Sequence, residues 1–225
     1  TYIQHNPETH EGGEGLAALF KRLSKTNPRV HLVRVFEDGD YVFGHTEYDF
    51  ATTKIGFEVF RFEDGLVVEH WDNLQPKPAR PNPSGHTMTD GPTEPVDLEK
   101  TQENKELARS FVDEILVKGR LEKLTEYFEG DAYTQHNPQI GDGLSGFETA
   151  LEEWAEQGIV MKYDRIHRVL GEGDFVLVVS EGSLAGNHSS FYDLFRVADG
   201  KIAEHWDTIE TIPPRHLWKN DNGKF

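Results

Sequence analysis

Tyr2-Ile3-Gln4-His5-Asn6-Pro7 is written again as Tyr133-Thr134-Gln135-His136-Asn137-Pro138, and Glu69-His70-Trp71-Asp72 again as Glu204-His205-Trp206-Asp207. The offsets are 131 and 135 residues, and the small drift falls in turns. Between the two motifs the texture also matches: Glu37-Asp38-Gly39-Asp40-Tyr41-Val42 answers Gly171-Glu172-Gly173-Asp174-Phe175-Val176, and Phe60-Arg61-Phe62-Glu63-Asp64-Gly65 answers Phe195-Arg196-Val197-Ala198-Asp199-Gly200. Solenoid units run about 20 to 50 residues, so a period this long is a duplicated domain.

Working outward, the stretch from Gln75 to Asp97 holds six prolines and almost no apolar side chains, a semi-rigid linker composition. The expected organisation is a first domain over 1–78, a linker over 79–96 and a second domain over 97–225. Leu107, Phe111, Ile115 and Leu116 lie at helical spacing, and Leu121, Leu124 and Phe128 predict a second helix after Gly119. No such arm stands before the first motif as the sequence is given, so the first pocket is expected to be the more open.

Each repeat then reads alike: a short strand into Gln-His-Asn-Pro, a glycine-rich approach to one helix (13–24 and 144–157), and four strands joined by turns of the Asp-Gly kind. The strands are expected at 29–36, 41–50, 55–62 and 66–74, and again at 162–170, 175–184, 189–197 and 202–212. Helices followed by an antiparallel meander predict an α+β fold in which a curved sheet wraps a helix.

The chain of 225 residues carries 23 basic and 40 acidic side chains, a net charge of −17. That sign opposes binding to nucleic acid or to an anionic membrane. Every apolar run is broken well short of a membrane span. No cysteine is present, which removes disulfides, thiolate metal sites and cysteine nucleophiles. With no leader legible at Thr1, the default expectation is a cytoplasmic protein.

Side chains alternate along a strand, so His205 and Asp207 share one face while Glu204 and Trp206 share the other; His70 and Asp72 are divided from Glu69 and Trp71 in the same way. On the preceding strand Asp193 sits in an apolar row with Phe191, Phe195 and Val197, and Glu58 occupies the matching place beside Phe60 and Phe62. A carboxylate in such a row is paired, protonated or catalytic. With Gln4, His5, Gln135 and His136, these groups are expected to converge on one cavity per repeat. A buried carboxylate whose pKa is raised suits a base that removes a proton beside a carbonyl, and a neighbouring His or Gln can donate to the enolate oxygen. The same residues also fit plainer roles: the histidines satisfying backbone groups, and Asn-Pro starting a turn. A two-His, one-carboxylate metal face of His136, His205 and Asp207 is a minor alternative, though no ligand pair has helical spacing. His10, His31, His45, His86, His167, His188 and His216 read as surface or turn residues.

Tyr-x-Gln-His-Asn-Pro followed by Gly12-Gly13-Glu14-Gly15, with Phe-Arg-x-x-Asp-Gly-x-x-x-Glu-His-Trp-Asp at 60–72 and 195–207, resembles the SnoaL-like polyketide cyclase family in two tandem copies. The resemblance implies the cone-shaped α+β barrel shared with nuclear transport factor two, scytalone dehydratase and ketosteroid isomerase. It further implies intramolecular aldol condensation without metal or cofactor. The family's acid/base Asp maps onto Asp72 and Asp207. Its His maps onto Glu58 and Asp193, where this sequence departs from the pattern. Sheet-to-sheet pairing, intermolecular in the homodimers of that fold, becomes an intramolecular pseudo-dimer here, and a further homo-oligomer stays open.

The leading expectation is therefore a cofactor-independent lyase or isomerase acting on a small hydrophobic carbonyl ligand. Asp207 is its principal catalytic residue, supported by Asp193, His205 and His136, with Asp72, Glu58, His70 and His5 as first-repeat counterparts. Tyr133, Gln135, Trp206, Phe191 and Phe195, with Tyr2, Gln4 and Phe60, are expected to line the pockets. The alternative is a protein of the same fold that holds a small hydrophobic ligand without turning it over. The two differ in whether the carboxylate is free or tied, for Asp207 to Arg165 or Arg196.

Overall fold

The computed structural model describes residues 1–225. Its first half runs β1 (Ile3–Gln4), α1 (Gly12–Leu23), β2 (Arg29–Asp38), β3 (Tyr41–Asp49), β4 (Thr53–Glu63) and β5 (Leu66–Pro76). The second half adds α2 (Thr101–Phe111), a π-helical turn over Val112–Val117 and a 3-10 segment over Leu121–Tyr127. It then repeats the order as β6 (Thr134–Gln135), α3 (Gly143–Glu156), β7 (Met161–Glu172), β8 (Phe175–Leu184), β9 (Asn187–Ala198) and β10 (Lys201–Thr211). The sheets have the same topology, β1-β5-β4-β3-β2 and β6-β10-β9-β8-β7, antiparallel except for the short strand pairing parallel with the last. The expected α+β fold is present twice. None of the helices is long and apolar enough to cross a membrane.

Gly15 and Gly146 explain the glycine-rich approach to each helix. A Cβ at either would overlap the carbonyl of His10 or Gly141 in the preceding loop, so only glycine permits the close approach.

The sheets pack back to back. Phe36, Phe43 and Phe57 from one meet Leu177, Tyr192 and Leu194 from the other in a shared core. Trp71 and Trp206 lie within it, each faced by an arginine of the opposite repeat: Arg168 lies 4.0 Å from the Trp71 ring centroid and Arg34 4.6 Å from that of Trp206. Each such contact is worth about 0.5–2 kcal/mol, the upper end where water is excluded. Asn73 strengthens the contact by donating to the carbonyls of Ser190 (2.8 Å) and Thr208 (3.1 Å).

The proline-rich segment does more than space the halves. Its Asn82 donates to the Gln135 and Ile140 carbonyls at 2.7 and 3.0 Å, and Met88 is buried in the shared core. The tail does the same in reverse, Asn220 donating to the Asn6 and Thr9 carbonyls at 2.7 and 2.9 Å. Each sheet is thus followed by a strap that fastens the other repeat's Gln-His-Asn-Pro loop.

Because both repeats contribute to one core, unfolding is expected to be a single cooperative transition. Trp206→Ala should cost about 3–5 kcal/mol through lost burial and cavity formation. Urea denaturation followed by fluorescence and by circular dichroism checks this; two separated transitions in the parent protein would contradict the shared core.

Candidate functional site

In the second repeat, β6, β9 and β10 bring Gln135, Asp193, His205 and Asp207 to the concave face, opposite the shared core. All four are buried. The Gln135 side-chain oxygen accepts from the backbone N–H of His136 (3.0 Å) and Asn137 (2.9 Å), so it can only accept from His205, which donates through Nδ1 at 2.7 Å. His205 donates through Nε2 to Asp193 at 2.8 Å, and Tyr163 donates to the other Asp193 oxygen at 2.8 Å. Burial by itself lowers the His205 pKa, but the Asp193 hydrogen bond and the Asp207 and Asp193 charges raise it above its ordinary value. The ring is held as a doubly donating imidazolium.

Asp207 differs. Its hydrogen-bond donor is Asn137 Nδ2, at 2.8 and 3.1 Å from the two carboxylate oxygens. Arg196 goes to Glu204 and Arg165 to Glu181, so neither guanidinium ties it. Burial first, and then the Asp193 charge, push the Asp207 carboxyl up to about 6 against the pull of His205 and Asn137. Tyr133 accepts from Gln135 Nε2 at 2.7 Å, and its own hydroxyl proton has no acceptor. Phe111, Phe128, Phe147, Trp154 and Phe195 complete an apolar wall around a cavity of about 50 Å³.

The first repeat reproduces this set. His70 donates to Gln4 Oε1 at 2.8 Å and to Glu58 at 2.5 Å, Tyr48 donates to Glu58 at 2.6 Å, and Asn6 donates to Asp72 at 2.8 Å. Two features differ. The cavity is about 660 Å³, within the range of small-molecule sites, and includes Tyr2, Phe60, Leu16 and Leu19. Buried Lys224 from the tail lies 3.8 Å from Asp72 Oδ1 and donates to the Asp72 carbonyl at 2.7 Å.

Four expected site residues stand elsewhere. His5 and His136 adjoin Gln4 and Gln135 in sequence, so with the glutamines facing the cavity the histidines turn to the opposite face. There His5 stacks on Trp71 and His136 on Trp206, both at 4.7 Å, and they bond Glu69 and Glu204. Trp206 is accordingly an interface residue rather than a pocket wall. Phe191 lies behind the wall, stacked on Tyr163 at 4.1 Å. The proposed metal face of His136, His205 and Asp207 is not assembled, whereas His205 and Asp207 do meet Asp193. His45 is fully buried rather than at the surface; it meets Arg34 through Nδ1 at 2.7 Å.

Asn6, Asn137, Tyr48 and Tyr163 were not singled out from the sequence. The asparagines stand two residues beyond the glutamines, and that spacing was a usable signal. The tyrosines gave none. Tyr163 on β7 faces Gly182 on β8, whereas Tyr48 on β3 faces Val30 on β2, so the phenol reaches the carboxylate from different strands. A Cβ at Gly182 would overlap the Lys162 carbonyl, so this strand position cannot supply the tyrosine in the second repeat.

Residues 108–205 match the family model described as a SnoaL-like domain. The second repeat is similar to that family over those residues. No curated protein gives a significant match to the chain. Among solved structures, an LEH-like epoxide hydrolase from M. tuberculosis is 22% identical, covering 49% of this chain and 85% of its own, with TM-score 0.39. A candidate ketosteroid isomerase from Kribbella flavida is 18% identical, covering 56% and 94%, with TM-score 0.42. A protein of unknown function with a cystatin-like fold from Xanthomonas campestris is 22% identical, covering 52% and 98%, with TM-score 0.41.

The Asp207 carboxyl carries a stability consequence. Its pKa in the folded chain lies above the ordinary 3.8, so the folded state binds more protons than the unfolded chain between about pH 4 and 6 and loses stability as pH rises through that window. Asp207→Asn removes the buried charge. Its melting temperature relative to the parent is expected to be higher at pH 7.5 than at pH 4.5, and a drop at pH 7.5 would contradict the assigned ionisation.

Proposed function

We propose that the protein is a cofactor-independent acid/base enzyme acting on a small hydrophobic carbonyl compound, an aldol-condensing cyclase or a related lyase or isomerase, with Asp207 as its base. The observation that carries this reading is the buried Asp207 carboxyl, free of any arginine or lysine and raised to about 6. A base is most useful when its pKa lies near the working pH.

In this reading Asp207 takes the proton from carbon beside the substrate carbonyl, and the C–H electron pair becomes the enolate. Tyr133, whose hydroxyl proton has no acceptor, donates to the enolate oxygen. The nearby imidazolium of His205 offsets the growing negative charge while Gln135 and Asp193 fix its orientation. For ring closure, the enolate carbon bonds to a second carbonyl carbon of the same molecule. The new alkoxide then recovers the proton from Asp207, so no oxidant or cofactor is needed. A cavity of about 50 Å³ holds only a few waters, so substrate access requires its apolar wall to give way.

A second reading applies to the first repeat. Lys224 sets a cation 3.8 Å from the Asp72 carboxylate, where the second repeat has none, and the cavity of about 660 Å³ is already wide. These features support a pocket that binds a small hydrophobic ligand without turning it over.

Solvent deuterium exchange into a panel of β-dicarbonyl compounds tests both readings. Asp207→Asn should lower exchange about 10²–10⁴-fold, the usual contribution of a general base, with ligand affinity nearly unchanged. Tyr133→Phe should cost about 10²–10³-fold. The parent rate should rise with pH through about 6 as Asp207 ionises. Asp72→Asn should leave exchange intact; loss in Asp72→Asn alone would move the chemistry to the first repeat. Persistence in the double variant would refute both assignments of the base.

A further inference from the structure

Behind the second repeat's cavity, on the side facing the proline-rich strap, His86, Asp90 and His136 bring one ligand atom each within 4.8 Å of one another. None of the three takes part in the proposed acid/base chemistry. Asp90 lies between the two rings: its Oδ1 is 2.7 Å from His136 Nδ1 and its Oδ2 is 3.5 Å from His86 Nδ1. The Thr87 carbonyl oxygen, also 2.7 Å from His136 Nδ1, adds a fourth donor.

The outer contacts of the two rings are what distinguish the cluster. His136 Nε2 faces Glu204 Oε2 at 3.3 Å, and His86 Nε2 faces Asp142 Oδ2 at 3.2 Å. Each imidazole can therefore donate its Nε2–H to a carboxylate, while the Nδ1–H of His136 donates to the Thr87 carbonyl and Asp90, the position a metal would take in place of that proton. A carboxylate on the far nitrogen is the usual support of a metal-ligating histidine, fixing its tautomer and strengthening the donor.

The loop is held from several sides. Arg34 donates to the Thr89, Asp90, Gly91 and Pro92 carbonyls, and Trp206 Nε1 donates to the Asp90 carbonyl at 2.9 Å. Gly91, at φ +100°, lets the backbone lie against Glu204 and Trp206, where a Cβ would come within 2.6 Å of the Glu204 carboxylate. A cavity of about 220 Å³ lined by His86, Thr87 and His136 leads to the cluster and leaves room for water ligands.

The first repeat provides an internal contrast. His5 has the same Trp71 stack and the same carboxylate partner, Glu69, yet its Nδ1 meets only the Gly223 carbonyl at 2.8 Å, with no second histidine and no aspartate. The extra ligands belong to the strap sequence His86-Thr87-Met88-Thr89-Asp90 alone.

We propose that His86, Asp90 and His136 form a binding site for a divalent transition metal, zinc(II) by its two-imidazole, one-carboxylate donor set, which clamps the segment joining the two repeats onto the back of the Gln-His-Asn-Pro strand. Two neutral imidazoles, a carboxylate and a carbonyl or water suit zinc in tetrahedral geometry. Binding displaces the Nδ1 protons, so uptake of the metal releases protons. The site lies on the opposite sheet face from Asp207 and is independent of the acid/base reading.

Zinc(II) titration of the full chain, stripped with a chelator and followed against a chromogenic competitor, is the test. One tight equivalent is expected, with a rise in melting temperature. His86→Ala and Asp90→Asn should each weaken it at least about tenfold, as loss of one ligand requires, while leaving the metal-free melting temperature near that of the parent. Asp207→Asn and Asp72→Asn should retain it. X-ray absorption of the zinc-loaded parent should count two imidazoles, so the proposal stays testable if a variant misfolds. No stoichiometric binding, binding that survives both strap variants, loss on Asp207→Asn instead, or a shell without two imidazoles would each overturn the site.

Discussion

Two short motifs pair along one edge of each sheet, β1 beside β5 and β6 beside β10, and alternation of side chains along them divides their work between two faces. Gln135, His205 and Asp207 turn into the concave cavity; His136, Glu204 and Trp206 turn to the back, where the other repeat packs. The first repeat divides Gln4, His70 and Asp72 from His5, Glu69 and Trp71 in the same manner. A shift of one residue in β6 or β10 would exchange the two sets. The parallel pairing of β6 with β10, Gln135 opposite His205, is therefore the constraint on which both pocket and interface depend.

Given that constraint, the repeats diverge through what is added around them. The second receives α2 and the turns after it, whose Phe111, Leu124 and Phe128 pack into its core and reduce the cavity to about 50 Å³. The first has α1 across its mouth, with Phe20 60% exposed, and the cavity is correspondingly wide. The straps diverge as well. Asn82 and Asn220 play one role, but the residue four positions later is His86 in one and Lys224 in the other. That single difference sends a cation to Asp72 and an imidazole to Asp90.

Much of this was legible in the sequence, for a physical reason. A period-two pattern broken by Asp-Gly turns defines strands without help from packing, and the observed strands agree with the expected ones within about two residues, the usual uncertainty of an element end. The convergence of Asp193, His205 and Asp207 followed from alternation. Placing His136 in the cavity beside Gln135 broke the same rule, since neighbours on a strand cannot share a face. Tyr48 and Tyr163 were illegible because equivalent phenols come from non-equivalent strands, a register fact that no repeat alignment contains. Lys224 and the straps were illegible because their contacts lie at sequence separations of 53 to 218 residues and involve backbone carbonyls, which carry no sequence signature.

The proline-rich composition of the strap was read as spacing, yet its physical effect is closer to fastening. Proline lowers the entropy of the unfolded segment, so holding it against the second repeat costs less. Its few polar side chains can then secure it through buried bonds such as Asn82 to the Gln135 carbonyl. Gln135 is also the residue that orients His205. The strap therefore bears on the backbone of the residue whose side chain sets the cavity's charge arrangement, and the tail bears on Asp72 through Lys224 in the other direction. With two repeats in one chain, each one's trailing segment meets the other's site, which a single isolated repeat could achieve only by pairing with a second chain.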